Sequence, residues 1–193
     1  MSESVHEMSP KEIMDRLMMA VTDGWARDLL NSALSTWDFA EGTINELNYW
    51  ADETLTDKNL VDYLAEFAYD AVSDLSIDKK EFVELWNKLT PEQRKAFLKD
   101  FYHNVALDGL EEFLDYVSGE LNLNDVKDYL DGKISFRDLM NKLAKVYDVE
   151  EYEPYDEYAK SFWAGVSLAD YVSDEELKDL VRKYVLPKLE KHK

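Results

Sequence analysis

The chain has 193 residues, of which 46% are apolar, and its 42 acidic and 22 basic side chains give a formal net charge of −20. The absence of cysteine excludes disulfides, thiolate nucleophiles and thiolate metal sites. The charge argues against direct binding of nucleic acid, because neutralising phosphates takes clustered lysine and arginine.

The N-terminal sequence MSESVHEMSPKEIMDRL has acids where a secretory signal would have bases. The chain also has no apolar run of roughly 18 residues, the length needed to cross a membrane. We therefore expect a soluble, cytoplasmic protein with no membrane association. A third of the residues are charged and only one is glutamine, a composition typical of heat-adapted proteins.

Helix-start signals recur along the chain, and strand signals do not. A capping hydroxyl precedes proline at Ser9 and Thr90, and apolar residues recur at intervals of three and four behind most starts. Capping-box spacing or a near variant occurs at Thr43 with Glu46, Asp78 with Glu81, Ser135 with Asp138 and Ser173 with Glu176. These signals predict an all-α bundle or orthogonal array of nine or ten helices, without a sheet, in a single domain over residues 1–193.

One predicted helix, over residues 57–73, carries a row of carboxylates. Its apolar residues define one face, and Asp62, Glu66, Asp70 and Asp74 recur at a spacing of four on the other. Like charges at this spacing destabilise a helix slightly, whereas an ordinary solvated helix would intersperse lysines. A row of carboxylates of this kind can imitate a nucleic-acid strand and bind a basic groove.

Two stretches resemble degenerate EF-hand loops. The run DAVSDLSIDKKEF from Asp70 has oxygen donors at several ligand positions, but Leu75 occupies the position where glycine makes the sharp turn. The run KDYLDGKISFRDL from Lys127 keeps Asp131 and Gly132 but begins with lysine. The alternative interpretation of each stretch is a helix end followed by an N-cap.

Two carboxylate pairs resemble the signature of all-α nucleotide pyrophosphohydrolases. In that family Glu-x-x-Glu and a later Glu-x-x-Asp hold magnesium against a pyrophosphate, and here Glu81 and Glu84 precede Glu112 and Asp115. The resemblance implies a magnesium-dependent enzyme if the two pairs converge. With 20 glutamates in the chain, a Glu-x-x-Glu pair also arises by chance.

Other catalytic and cofactor patterns are missing from the sequence. It contains neither a Gly-x-Ser-x-Gly elbow nor a glycine-rich phosphate loop. The sequence has a single Asp-x-x-His pair, Asp100 with His103, whereas a di-iron carboxylate bundle requires two Glu-x-x-His pairs. We therefore predict no cofactor and no metal site, and we favour a protein that is not an enzyme.

The stretch YDVEEYEPYDEY, residues 147–158, combines tyrosines with acids and has no basic residue. Pro154 disfavours helical geometry at the preceding residue, so we expect a connector between a helix ending near Tyr147 and one starting near Tyr158. One interpretation is that the tyrosine rings pack on the helical body while the acids stay solvated. The other is a protein interface, with candidate partner-binding residues Tyr152, Tyr155, Asp156, Glu157 and Tyr158.

Blocks of acidic charge are the basis of the favoured function, and the alternative interpretation is that the surplus of acids faces water and keeps the protein soluble. Residues 38–78, 108–131 and 148–176 have net charges of −10, −7 and −9. We favour an acidic binding or regulatory protein whose carboxylate-rich face engages a basic protein partner, such as one that otherwise binds nucleic acid. The alternatives are the magnesium-dependent pyrophosphohydrolase-like enzyme and a degenerate EF-hand-like helical module.

Overall fold

The computed structural model describes residues 7–69, 77–150 and 156–191. Over these ranges the chain forms ten α-helices and two short 3-10 turns, with no β-strand, which confirms the predicted all-α fold. The α-helices are α1 Pro10–Leu30, α2 Thr36–Trp50, α3 Lys58–Tyr69, α4 Lys79–Asn87, α5 Pro91–Val117, α6 Leu123–Leu130, α7 Phe136–Tyr147, α8 Glu157–Ser167, α9 Asp174–Tyr184 and α10 Leu186–Glu190. The 3-10 turns are Ser118–Glu120 and Leu168–Tyr171. Among the described helices, none is both long and apolar enough to cross a membrane.

The predicted helix starts are mostly confirmed. Capping boxes form at Ser135 and Ser173, where the serine hydroxyl accepts the N–H three residues on and the acid at that position accepts the serine N–H. Asp78 caps α4 in the same way through the N–H of Glu81. Each cap satisfies backbone donors that the helix itself leaves free, a stabilisation of about 1 kcal/mol.

The helix start predicted at Thr43 was wrong. Helix α2 begins about two turns earlier, at Thr36, where the Ser35 hydroxyl donates to Asp38 Oδ2 at 2.5 Å. Thr43 is buried within the helix, and its hydroxyl accepts a hydrogen bond from the Trp25 indole at 3.2 Å. The capping-type residue therefore satisfies a buried tryptophan instead of a helix end.

The chain divides into two compact units. Unit 1 comprises Met1–Ala33 and Thr43–Tyr102, and unit 2 comprises Leu34–Gly42 and His103–Lys193. The divisions fall within α2 and α5, so each of these helices supplies residues to both units. The single domain predicted from the sequence stays a prediction.

Unit 1 is held together by a close approach of α1 and α3. At Gly24 a Cβ atom would lie 1.5 Å from the carbonyl oxygen of Phe67, so only glycine fits there. Arg94 is buried, and its guanidinium donates to the carbonyl oxygens of Trp86, Thr54 and Asn87. Its hydrogen bonds therefore join α5 to α4 and to the loop before α3.

Unit 2 packs α5 against α8 through a second glycine. A Cβ atom on Gly165 would lie 2.3 Å from the ring of Phe113, which is 1% exposed. The absence of a side chain at Gly165 lets the Phe113 ring lie flat against the helix backbone. This packing places Phe113 beneath the aromatic cavity described next.

Candidate functional site

The carboxylate row predicted on α3 is described for Asp62 and Glu66, whereas Asp70 and Asp74 lie outside the described residues. Glu66 is exposed, and its Oε1 lies 3.4 Å from the Nζ of Lys79 on α4. Lys79 of α4 therefore lies beside the carboxylate row, a contact that the periodicity of α3 alone could not predict.

Asp62 lines an open groove of about 500 Å³ between α3 and α4. Three lysines and two carboxylates face this groove, with valine side chains between them. The charged side chains are Lys58, Asp62, Lys79, Lys80 and Glu84. This groove has a mixed surface on which cations outnumber anions.

The first pair of the pyrophosphohydrolase-like signature lies in unit 1. Glu81 Oε1 is 2.8 Å from Arg16 Nη2, an ion pair between α4 and α1. Glu84 faces the lysine-lined groove. Both carboxylates thus lie beside cations of the chain.

The second pair lies in unit 2, and each of its members has a partner there. Glu112 Oε1 accepts the backbone N–H of Thr36 at 3.2 Å, while its other oxygen accepts the Thr36 hydroxyl. Asp115 forms an ion pair with Lys188. Among the described residues, which include all four carboxylates of the signature, no three histidine, aspartate or glutamate side chains are grouped so that they could hold a metal ion.

His103 lies against a carboxylate of another helix. Its Nε2 is 2.6 Å from Glu176 Oε2, and hydrogen bonds from His103 and then from Ser173 lower the pKa of Glu176. Glu176 also completes the capping box of α9. This contact therefore ties α5 to the start of α9.

The second EF-hand-like stretch is a helix end followed by an N-cap. Helix α6 ends at Leu130, Gly132 takes a left-handed conformation with φ of 78°, and Ser135 caps α7. Asp138 accepts the Ser135 N–H, and this bond is the main cause of its lowered pKa. Most of the first stretch, residues 70–76, lies outside the described residues, and its Asp78 caps α4.

The tyrosine-rich stretch is described at its two ends, while Tyr152 and Tyr155 lie outside the described residues. As predicted, one helix ends at Tyr147 and the next begins near Tyr158. Asp156 is the N-cap of α8, accepting the N–H of Tyr158 at 3.0 Å, and Glu157 is exposed. Asp156 therefore has a structural role in addition to its charge.

Tyr158 belongs to an aromatic cavity in unit 2. The cavity has a volume of about 80 Å³, and six aromatic rings line it together with Val117 and Ser161. The six rings are Trp37, Phe113, Tyr116, Tyr147, Tyr158 and Phe162. Among the described residues, no charged side chain lines this cavity.

The six rings form a continuous series along the wall of the cavity. Five neighbouring pairs have ring centroids 5.3 to 6.0 Å apart with interplanar angles of 38° to 76°. Tyr116 and Tyr158 are the two ends of this series, and Tyr116 contributes to the raised pKa of Tyr158. Because successive rings are inclined to one another, they enclose a space instead of forming a stack.

The floor of the cavity is buried and its rim is exposed. Trp37, Phe113 and Phe162 are buried, whereas Tyr116 is 58% and Tyr158 43% exposed. This division gives the cavity a rigid base and an accessible mouth.

Hydrogen bonds fix the tryptophan of the floor. Trp37 Nε1 donates to the backbone oxygen of Ser161 at 3.1 Å and lies 3.0 Å from its hydroxyl oxygen. The Ser161 hydroxyl in turn donates to Asp38 Oδ2 at 2.9 Å. The indole is therefore held by α8 while its ring faces the cavity.

Burial and nearby negative charge raise the pKa of Tyr147 and of Tyr158. Burial, followed by the effects of Tyr158, Glu120 and Tyr116, raises the pKa of Tyr147 to about 12. Burial is also the largest cause of the raised pKa of Tyr158, and Glu120 contributes there too. The carboxylate of Glu120 is thus close enough to act on the cavity.

Sequence analysis identified Tyr158 as a candidate but missed the other five rings. Their positions range from residue 37 to residue 162, and no local pattern joins α2 to α8. The available signal was the spacing of aromatic pairs on single helices, Phe113 with Tyr116 and Tyr158 with Phe162, which places each pair on one helix face.

Comparison of the chain with protein-family models, curated protein sequences and solved structures finds no match.

Proposed function

We propose that this protein is a non-enzymatic binding protein that engages a basic segment of a protein partner. The observation that carries the proposal is the tyrosine surface, formed by Tyr116, Tyr147 and Tyr158 at the mouth of the aromatic cavity. Tyrosine supplies large contact area with little loss of side-chain freedom, and it is enriched where proteins bind one another. Two of these three rings are exposed although they lie over an apolar cavity.

The charge around the tyrosine surface supports a basic partner. The segments that carry the six rings are residues 34–42, 108–120, 145–150 and 156–162, and together they hold eleven acidic residues and two lysines. Such a surplus raises the rate of encounter with a cation-rich segment and orients it. The exposed rings then provide the short-range contact.

The partner class includes proteins that otherwise bind nucleic acid, because such proteins present the required lysine and arginine. On α3, Asp62 and Glu66 remain a second predicted contact for the same kind of partner. Their neighbouring lysines reduce the attraction that they offer, which is why we place the primary contact at the tyrosine surface.

The proposal is tested with a synthetic peptide rich in lysine and arginine, using isothermal titration calorimetry at two salt concentrations. We expect binding that weakens with added salt, because exposed charges are screened. Tyr116→Ser and Tyr158→Ser should each weaken binding by about tenfold, the loss typical of an interface residue worth about 1.4 kcal/mol.

The matched control is Tyr49→Ser, at a tyrosine of unit 1 that is 81% exposed. It should leave the affinity unchanged. If Asp62→Lys with Glu66→Lys abolishes binding while the tyrosine variants do not, the contact lies on α3. If the peptide does not bind at all, or no variant alters its binding, the proposed function is wrong.

A further inference from the structure

We propose that the aromatic cavity binds a quaternary ammonium group, namely the side chain of a trimethylated lysine in the basic segment. This inference rests on the proposed function, because the segment that carries the lysine is the basic partner. It adds the chemical identity of the group that enters the cavity.

The first argument is the arrangement of the rings. A cation is attracted to the face of an aromatic ring within about 6 Å of its centroid, and several rings around one cation add their contributions. Here six aromatic side chains close around one cavity, with Trp37 in the floor and Tyr116 and Tyr158 at the mouth. Among the described residues, the cations that stack on rings do so elsewhere, as Arg137 does over Trp163 at 5.2 Å.

The second argument is size. A cavity that holds a single water has a volume of roughly 10 to 15 Å³. A cavity of about 80 Å³ therefore accommodates a group of several heavy atoms, such as a nitrogen with three methyl groups. The planar fork of arginine, by contrast, is suited to open stacking surfaces and to carboxylates.

The third argument is the shortage of hydrogen-bond acceptors. A lysine ammonium has three N–H donors, and each loses water when it enters an apolar cavity. Among the described residues, the side-chain acceptors in the cavity lining are the hydroxyl oxygens of Tyr116, Tyr147, Tyr158 and Ser161, and the Ser161 oxygen already accepts the Trp37 indole N–H. A trimethylated nitrogen has no donors to satisfy, so it keeps its charge and avoids that cost.

The carboxylates near the cavity lie outside its described lining. Among the described residues, no carboxylate lines the cavity, yet Glu120 acts on both Tyr147 and Tyr158. The rings can thus contact the methyl groups directly while the carboxylates attract the positive charge from further away. The acids around the mouth also suit lysines or arginines that flank the methylated residue.

The test compares three peptides of one basic sequence by isothermal titration calorimetry. One carries trimethyllysine, the second lysine, and the third a neutral analogue in which a tert-butyl group replaces the trimethylammonium. We expect the trimethylated peptide to bind about tenfold more tightly than the other two, as several cation–π contacts in a desolvated site allow. Tetramethylammonium chloride should compete with it.

Variants at the mouth test the rings separately from the fold. Tyr116→Leu and Tyr158→Leu keep apolar contact but remove the aromatic face, and both positions are exposed enough to tolerate the change. They should abolish the preference for the trimethylated peptide. Tyr49→Leu should keep that preference, and circular dichroism should show all three variants folded.

The outcomes separate this inference from the proposed function. If the methylated and unmethylated peptides bind equally and with the same salt dependence, the quaternary ammonium site is overturned and the proposed function stands. If neither peptide binds but tetramethylammonium and choline do, the cavity takes a free quaternary ammonium compound, and both the proposed function and the peptide source are overturned. Equal binding of the neutral analogue and the trimethylated peptide would show apolar contact alone and overturn the inference.

Discussion

The groove between α3 and α4 has charged side chains in its lining, whereas the described lining of the aromatic cavity of unit 2 has none. In the groove, Lys58, Lys79 and Lys80 face two carboxylates directly, and Glu66 lies 3.4 Å from Lys79. In the cavity the described wall is aromatic, and neither Asp38, which accepts the Ser161 hydroxyl, nor Glu120, which contributes to the raised pKa of Tyr147, is part of the lining.

The difference shows that the density of acids along a helix does not give the charge of the surface around it. On α3 the carboxylates recur every four residues, which predicts an acidic face. Lys79 of the neighbouring helix nevertheless lies 3.4 Å from Glu66. In unit 2 acids outnumber lysines in the segments that carry the exposed rings. At the proposed site, attraction at long range and contact at short range would therefore act together.

The largest expected effects come from the two glycines at helix contacts. Gly24→Ala places a Cβ atom 1.5 Å from the backbone oxygen of Phe67, so α1 and α3 must separate. We expect the free energy of unfolding, measured in urea, to fall by about 3 kcal/mol. In Gly165→Ala the new Cβ atom lies 2.3 Å from the ring of Phe113, and we expect the free energy of unfolding to fall by about 2 kcal/mol.

The two variants also separate the two regions. Gly165→Ala moves a ring of the cavity floor, so it should weaken binding of tetramethylammonium in the folded protein, whereas Gly24→Ala should not. The control is Gly42→Ala on α2, where a Cβ atom meets nothing within 4 Å. Because alanine favours helix over glycine, it should stabilise by about 0.5 to 1 kcal/mol. Equal losses of ligand binding in the Gly24 and Gly165 variants would contradict a site confined to the cavity.

A smaller effect is expected from Tyr147 at alkaline pH. Its pKa is about 12 in the folded protein, raised mainly by burial, whereas an unfolded tyrosine titrates near 10. The unfolded chain therefore releases this proton first as the pH rises. The stabilisation due to the neutral Tyr147 is complete below about pH 10 and is lost as the pH rises through about 12.

Tyr147→Phe removes this contribution, so the free energy of unfolding should fall less steeply with pH in that window than in the parent protein. Tyr49→Phe, at the exposed tyrosine of unit 1, is the matched control and should keep the parent slope. A Tyr147→Phe protein with an unchanged slope would show that Tyr147 titrates alike in the folded and unfolded chain.

Much of the fold follows from local signals in the sequence. The caps at Ser135 and Ser173 and the break between α7 and α8 depend on residues within a few positions of one another, so spacing alone reveals them. The exception is Thr43, where a capping-type residue at the right spacing lies inside α2 because its hydroxyl satisfies the buried Trp25 indole. At Thr43 a tertiary hydrogen bond to Trp25 therefore takes the place of helix capping.

The candidate site was much less accessible to such reasoning. The cavity joins Trp37 on α2 to Phe162 on α8, and the contact depends on Gly165 leaving room for Phe113. Periodicity gives the face of each helix but not which faces meet. Tyr158 was identified because several acids and tyrosines are adjacent in sequence near it, whereas Tyr116 has acids beside it but no second tyrosine.

The smallest effect is expected from the ion pair between Glu66 and Lys79. Both side chains are half or more exposed, and exposed pairs contribute little because water and salt screen them. Glu66→Gln should change the free energy of unfolding by no more than about 0.5 kcal/mol, and it should reduce the affinity for the basic peptide much less than Tyr116→Ser does. Arg16→Ala, which removes the comparable pair with Glu81, is the matched control. If Glu66→Gln weakened binding of the peptide as much as Tyr116→Ser does, the carboxylate row of α3 would be the contact for the basic partner. The lysines beside that row would then have to move away on binding.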